Sequence, residues 1–171
     1  MITERKTYQN EMQMEFDAVS VNESFARVAV AAFITPLNPT VEEMADIKTA
    51  VSEAVTNAII HGYENLCGYG KYGDKYPAYL VIHPGKVRLS CHLEEDVLHI
   101  EVEDHGKGIE DVDKAMEPLY TTKPECDRSG MGFAFMEAFM DDLEVISTPG
   151  QGTLVKMQKK VGVGDWIREG L

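Results

Sequence analysis

The order in which strands and helices are predicted constrains the fold of this 171-residue chain more than any other feature of its sequence. Alternating apolar residues predict a strand at residues 12–16, and two helices follow before the next strand. The later elements are predicted as strands at 78–83, 86–93 and 97–103, a helix at 132–140, and strands at 143–148 and 153–159. Because strands and helices do not alternate regularly, a Rossmann-type parallel sheet is disfavoured. The order predicts an α/β (α+β) two-layer sandwich, with helices on one face of a mixed, largely antiparallel sheet.

Two capping-box patterns mark the starts of the first two helices. Ser20 with Glu23 precedes an apolar helix that runs to about residue 33, and Thr40 with Glu43 precedes a longer helix. In the longer helix apolar residues recur three and four positions apart, which predicts one buried stripe that ends before Gly62. The residues of that stripe are Met44, Ile47, Val51, Ala54 and Ala58.

Composition excludes several classes of function. The chain has 29 acidic and 16 basic residues, a net charge of −13, which argues against direct binding to nucleic acid or to an anionic membrane. More than half of that excess lies in residues 94–117, which hold ten acidic and two basic residues. No apolar run approaches the ~20 residues of a membrane helix. Three widely spaced cysteines, an odd number, predict reduced thiols in a cytoplasmic protein.

A glycine pattern at residues 68–73 matches GxGxxG but lies in the wrong context for a dinucleotide site. In such sites the motif follows a strand and begins a helix, so that the helix N-terminus receives the pyrophosphate. Here it follows a helix and leads into a predicted strand. We therefore interpret this segment as a loop or hairpin.

Two short motifs offer the side chains that phosphate chemistry requires. Glu53 and Asn57 lie four residues apart on one face of the second helix, and they supply a proton acceptor and an amide oxygen suited to Mg²⁺. Asp104 directly follows a predicted strand and precedes Gly106 and Gly108. Those glycines would let a ligand approach the backbone closely beside the carboxylate acceptor.

A third motif is a glycine-bearing loop that precedes the helix at 132–140. Gly130 and Gly132 would expose backbone N–H groups to an anion at the helix N-terminus. Residues 118–132 carry no net charge within this acidic chain. Each motif alone is also typical of a turn or a solvent-exposed face, whereas the three in this order and spacing are far more specific.

In these motifs the chain resembles the ATP-binding superfamily of gyrase, Hsp90, histidine kinases and MutL, which has the Bergerat-type fold. Glu53 and Asn57 match its N-box, and the two glycine motifs match its glycine boxes. Long ungapped stretches are similar to the anti-sigma-F factors of sporulating bacteria; they lie at 22–27, 51–65, 121–125 and 128–133. The likeness runs from about residue 12 to 160 of a single domain at 1–171. It leaves an expected insertion at about 68–85 and a C-terminal tail at 161–171.

The resemblance implies binding of MgATP, transfer of the γ-phosphoryl group to a serine of an anti-anti-sigma factor, and sequestration of a sigma factor, sigma-F, by a homodimer. It implies that Glu53 orients or deprotonates the serine hydroxyl, that Asn57 holds Mg²⁺, and that Asp104 accepts a hydrogen bond from the adenine amino group. It implies that Thr153 assists at the adenine and that Arg27 contacts the protein partners. The other nucleotide-binding residues that it implies are Gly106, Gly108, Thr122, Lys123, Arg128, Ser129, Gly130, Met131 and Gly132.

Three alternative functions stay open at this point. The chain could be the anti-sigma kinase of a related stress-response system, a histidine-kinase-type catalytic domain, or an ATP-dependent anti-sigma factor without kinase activity. A histidine kinase needs a phosphoacceptor histidine on a helix, and none of the five histidines has a His-Glu helical context. A protein that only binds has no need of a base such as Glu53.

Overall fold

The computed structural model describes residues 9–63, 85–119 and 130–162. The elements in these ranges are, in chain order, β1 (Gln9–Asp17), α1 (Val21–Phe33), α2 (Val41–Asn57), β2 (Lys86–Glu94), β3 (Val97–Asp104), α3 (Val112–Met116), α4 (Gly132–Phe139), β4 (Asp142–Thr148) and β5 (Gly152–Lys160). A 3₁₀ turn, Thr35–Leu37, precedes α2, and a π-helical turn, Ala58–Gly62, extends it. Among the described residues, no helix combines the length and apolar character that crossing a membrane requires.

The five described strands form one sheet in the order β1-β2-β3-β5-β4. Each neighbouring pair in that order is antiparallel. The predicted α/β fold with a largely antiparallel sheet is confirmed, and the described part of the sheet contains no parallel pair of the kind that a mixed sheet would have. The predicted strand at 78–83 lies outside the described residues, as does the expected insertion except for Gly85.

Strict alternation places one face of the central strands in the core. Every second residue of β2 is buried from Val87 to Leu93, and every second residue of β3 from Leu98 to Asp104. The predicted stripe of α2 packs into the same core, where Ile47 is fully buried. The last buried residue of β3 is Asp104, a carboxylate at a position where burial favours an apolar side chain.

The two predicted capping boxes have different outcomes. Thr40 has an extended backbone, its hydroxyl accepts from the Glu43 N–H at 3.1 Å, and the Glu43 carboxylate accepts from the Thr40 N–H at 2.7 Å. The box at Ser20 is wrong: Ser20 has helical φ and ψ of −56° and −31°, and its side chain makes no capping hydrogen bond. Glu23 instead pairs with Arg27, one turn further along α1.

Between β3 and α4 the structure contains the short helix α3, which the sequence pattern did not indicate. Asp111 caps it, because its Oδ1 accepts from the Lys114 N–H at 3.0 Å. Lys114 and Ala115 of this helix line a cavity, so α3 forms part of a wall that the sequence did not predict.

Candidate functional site

A cavity of about 680 Å³ is bounded by α2, the end of β3, the loop after it and the start of α4. This volume lies within the range of small-molecule sites, ~300–1,000 Å³. Eight residues predicted from the sequence line it: Glu53, Asn57, Asp104, Gly108, Gly130, Met131, Gly132 and Thr153. Four others, Thr122, Lys123, Arg128 and Ser129, lie outside the described residues. Gly106 is not among the residues that line the cavity, and Arg27 lies on α1.

Glu53 and Asn57 meet the first residue of α4. A Cβ atom built on Gly132 would lie 3.0 Å from the Glu53 Oε2 atom and 3.3 Å from the Asn57 Nδ2 atom. Both side chains therefore point from α2 toward the N-terminal end of α4, as expected for residues one turn apart on a helix. A Cβ atom at position 132 would make a tight contact with the carboxylate, so glycine at this position leaves room for the two groups beside the helix end.

The start of α4 has the features of an anion-binding helix end. Its cap residue, Met131, makes no side-chain capping hydrogen bond, and Gly130 before it has a φ of +68° that favours glycine. The partial positive charge of a helix N-terminus favours phosphate groups. Gly130, Met131 and Gly132 all line the cavity, so this charge lies at its wall.

Asp104 is a buried carboxyl at the other end of the cavity, with 4% of its surface exposed. Burial raises its pKa, while hydrogen bonds from the backbone N–H groups of Gly106 and Thr153 lower it in part. The Gly106 N–H lies 2.9 Å from Oδ1. A carboxylate has about four acceptor positions, so these two bonds leave acceptor capacity for a donor in the cavity.

The glycines around Asp104 allow segments of the protein to approach one another. A Cβ atom on Gly62 would lie 2.8 Å from the Asp104 Cγ atom, and one on Gly106 would lie 2.0 Å from the Gly62 carbonyl oxygen. A Cβ atom on Gly108, where φ is +71°, would lie 2.2 Å from the Thr148 carbonyl oxygen. These glycines therefore permit close packing of segments of the protein, and the expected approach of a ligand to Gly106 and Gly108 stays a prediction.

Sequence reasoning missed several residues of the site. His61 lines the cavity one turn beyond Asn57, in the π-helical turn, and Gly62 was predicted only as a helix stop. The four-residue spacing from Asn57 is a signal that could have indicated His61. The hydroxyls of Tyr63 and Ser147 bond to backbone N–H groups beside Asp104, and no local pattern marks either residue.

The donor set at the α4 end of the cavity fits Mg²⁺ bound together with phosphate. In the described ranges no three His, Cys, Asp or Glu side chains form a group that could hold a metal ion. Mg²⁺ usually takes one or two protein oxygens and completes its shell with phosphate oxygens and water. The amide oxygen of Asn57, beside the Glu53 carboxylate, supplies a ligand of that kind.

Arg27 lies on a different surface, the exposed face of α1. Val21, Phe25 and Val28 follow one another along this helix at four- and three-residue spacing and are 72%, 55% and 59% exposed. We call these three residues the α1 stripe. Arg27 lies on the adjoining flank, about 100° around the helix from Val28, and pairs with Glu23 at 3.3 Å. A row of exposed apolar residues beside a charged one is typical of a protein-binding surface.

Comparison with known proteins shows one family of ATPase domains and similar anti-sigma F factors. Residues 16–159 match the model of the histidine kinase-like ATPase domain. The chain is 53% identical to an anti-sigma F factor of Thermoanaerobacter sp. strain X514 over 155 residues, which cover 91% of this chain and 96% of that protein. It is 51% identical to the anti-sigma F factor of Bacillus subtilis strain 168 over 150 residues, covering 88% and 92% of the two chains.

A solved structure shows the same fold at low sequence identity. It contains the RsbU and RsbW domains of Rv1364c from Mycobacterium tuberculosis, and it matches 89% of this chain with a TM-score of 0.57 and 17% identity. The present chain spans about a third, 32%, of that solved chain.

Proposed function

Because the chain belongs to the histidine kinase-like ATPase domains and, within them, to the anti-sigma F factor family, we propose that it is an ATP-dependent serine-protein kinase that also sequesters a sigma factor. It binds MgATP, phosphorylates a serine of an anti-anti-sigma factor, and holds sigma-F as a homodimer. The observation that carries the kinase part is the convergence of Glu53 and Asn57 on Gly132 at the start of α4.

The two ends of the cavity suit the two ends of ATP. At one end the Asp104 carboxylate accepts a hydrogen bond from the adenine amino group. At the other, the N-terminus of α4 attracts the phosphates, and Asn57 contributes a ligand to Mg²⁺. Held there, Mg²⁺ would supply positive charge that neutralises part of the charge of the phosphates. In the sequence, two basic residues, Lys123 and Arg128, come shortly before this helix end.

Glu53 is the general base of the transfer. The serine hydroxyl oxygen attacks the γ-phosphorus, the new O–P bond forms as the bond to the β-phosphate oxygen breaks, and ADP leaves. The hydroxyl proton passes to the Glu53 carboxylate. Phosphoryl transfer depends mainly on positioning and charge neutralisation, and α2 and α4 supply both from rigid elements.

The α1 stripe with Arg27 is the surface for the protein partners. It combines apolar area, which contributes affinity when buried, with a guanidinium whose intrahelical pair can be exchanged for a carboxylate of a partner. This surface lies outside the cavity lining, so a partner could bind there while nucleotide stays in place.

Histidine phosphorylation is disfavoured by where the described histidines lie. His92 and His99 face each other across β2 and β3, His61 lies in the π-helical turn, and His105 follows β3. None of these four is on a regular α-helix, where a histidine kinase presents its acceptor, and His83 is outside the described residues. A protein that only bound ATP would not need Glu53 beside the Mg²⁺ ligand.

A phosphotransfer assay tests the proposal. The full chain is incubated with γ-labelled ATP and candidate anti-anti-sigma proteins, and the modified residue is identified by mass spectrometry. We expect acid-stable phosphoserine on the partner. Acid-labile phosphohistidine would contradict the serine specificity, and ATP binding without any transfer would reduce the function to that of a binding protein.

A further inference from the structure

The loop at residues 105–109, directly after Asp104, is held at both ends by side-chain hydroxyls. Four of its backbone N–H groups have acceptors within 2.9 Å: His105 bonds to the Tyr63 hydroxyl, Gly106 to Asp104, Lys107 to the Gly62 carbonyl, and Ile109 to the Ser147 hydroxyl. The two interior acceptors belong to the site itself. The two terminal acceptors, Tyr63 and Ser147, do not line the cavity, so a different role must explain them.

Tyr63 ties three segments of the chain together. Its hydroxyl accepts from the His105 N–H at 2.9 Å and donates to the Lys86 carbonyl at 2.5 Å, at the start of β2. Its ring lies against Gly85, where an added Cβ atom would be 2.1 Å from a ring carbon. The hydroxyl thus anchors the loop beside Asp104 both to the sheet and to the end of the π-helical turn.

Ser147 has three hydrogen-bond partners. Its Oγ is 3.0 Å from the Gly152 carbonyl, which can only accept, and we assign the single Ser147 proton to this bond. It accepts from the Ile109 N–H at 2.8 Å. With that assignment, the Thr153 hydroxyl, 2.9 Å away, is the donor in the bond between the two hydroxyls.

This arrangement makes Thr153 an acceptor toward the cavity that it lines. Its one hydroxyl proton is directed to Ser147, so the remaining lone pairs are what it can offer to a ligand. The ionised Asp104 carboxylate is also only an acceptor. Adenine carries an amino donor at C6, where guanine carries an oxo acceptor. Two acceptors that face the C6 substituent of the base would therefore bind the amino group of adenine and repel the oxo group of guanine held in the same orientation.

We propose that Tyr63 and Ser147 are positioning residues for base selection: their hydroxyls fix the loop at 105–109, and Ser147 also orients the Thr153 hydroxyl so that the cavity presents two acceptors to the base. This inference rests on the proposed binding of ATP. It adds to that function the residues that set the preference of the site for adenine over guanine.

The test is calorimetric measurement of ATP and GTP affinity for the full chain and for Tyr63→Phe and Ser147→Ala. Each variant removes one hydroxyl and keeps the rest of the side chain. We expect ATP affinity to fall about 3- to 10-fold in each, the usual effect of one hydrogen bond. In Ser147→Ala the Thr153 proton is released and can turn to the guanine oxygen, so GTP affinity should rise and the ratio of ATP to GTP affinity should fall most.

Ser90→Ala is the matched control, because Ser90 is a half-buried strand serine whose side chain lies on the opposite face of β2 from the core. It should leave the ratio of ATP to GTP affinity unchanged. Gly85→Ala gives a second test of Tyr63, since the added methyl group would displace the ring and should reproduce the loss seen in Tyr63→Phe. Melting temperatures without nucleotide report any general destabilisation.

The outcomes separate this inference from the function on which it rests. Wild-type protein that fails to bind ATP would overturn the proposed function and the inference together. Wild-type protein that binds ATP, with an unchanged ratio of ATP to GTP affinity in both hydroxyl variants, would overturn the inference alone. A lower melting temperature with an unchanged ratio would show that the two hydroxyls only stabilise the fold.

Discussion

The cavity and the α1 stripe are organised in opposite ways. Asp104 is almost fully buried and held by backbone N–H groups, and the glycines around it leave no room for a Cβ atom. On α1, in contrast, Phe25 and Val28 are more than half exposed, and Arg27 pairs with a residue of its own helix. A preorganised cavity responds to the loss of a single atom, whereas an open surface acquires its order from the partner. The difference predicts which substitutions affect nucleotide and which affect protein partners.

The largest effect is expected at Glu53, a residue of the cavity. Glu53→Gln keeps the shape of the side chain and removes the base, so the rate of transfer to the partner serine should fall about 10²- to 10⁴-fold. ATP affinity should change little. Glu42→Gln, on the exposed side of the same helix, is the control. Transfer at the wild-type rate in Glu53→Gln would refute the role of general base.

Asp104→Asn is expected to give the second largest effect. An amide in place of the carboxylate can turn an N–H donor toward the adenine amino group, so ATP affinity should fall about 10- to 100-fold. Binding of the protein partner through α1 should persist. Asp142→Asn, an exposed residue of β4, provides the control in the same calorimetric titration. Wild-type ATP affinity in Asp104→Asn would remove Asp104 from the site.

Charge reversal on α1 tests the other region. Arg27→Glu places a second carboxylate beside Glu23, so affinity for the sigma factor should fall about 30-fold, as for an interface arginine. ATP affinity should stay at the wild-type value. Lys156→Glu, on β5, is the control in a pull-down or biosensor measurement. Full retention of the sigma factor by Arg27→Glu would contradict the assignment of this surface.

A smaller effect is expected from the apolar part of the α1 stripe. Val28→Asp puts a charge on surface that a partner would bury, and partner affinity should fall about tenfold. Val41→Asp is closely matched, because Val41 is 89% exposed at the start of α2, where an acidic residue suits the helix dipole. Equal partner affinity in the two variants would show that the exposure of Val28 has no role in binding.

The smallest effect concerns pH. Burial raises the pKa of Asp104, so its carboxylate takes up a proton at a higher pH than an ordinary aspartate, and the acceptor is lost as the pH falls through that pKa. ATP affinity should therefore decrease on acidification more in the wild type than in Asp104→Asn, which retains His105 beside the site. Parallel pH profiles of affinity for the two proteins would contradict a titrating Asp104.

The features that could be predicted from the sequence depend on residues that are close together in the chain. The stripe of α2 and the alternation of β2 and β3 were predicted, because periodicity alone determines which side chains are buried. The capping box at Thr40 formed, whereas the same pattern at Ser20 did not, because the backbone of Ser20 is already helical. A capping motif indicates where a helix can start, but the box forms only where the backbone of the first residue is extended, as at Thr40.

The features that were missed depend on partners far away in the chain. Gly62 lacks a side chain because Asp104, 42 residues later, occupies the space. Tyr63 bonds to His105, and Ser147 to Ile109, across separations of 42 and 38 residues. Such contacts exist only once the sheet has formed, so no local pattern marks them. The resemblance identified the groups that would touch a ligand, and the structure identified those that hold them.

The most direct test of the central claim is a crystal structure of the full chain with Mg²⁺ and a non-hydrolysable ATP analogue. We expect the adenine amino group within hydrogen-bond distance of the Asp104 carboxylate and of the Thr153 hydroxyl. We expect the γ-phosphate at the start of α4, with Asn57 on the metal ion. A nucleotide bound elsewhere, or bound with its phosphates toward Asp104, would contradict the proposed site.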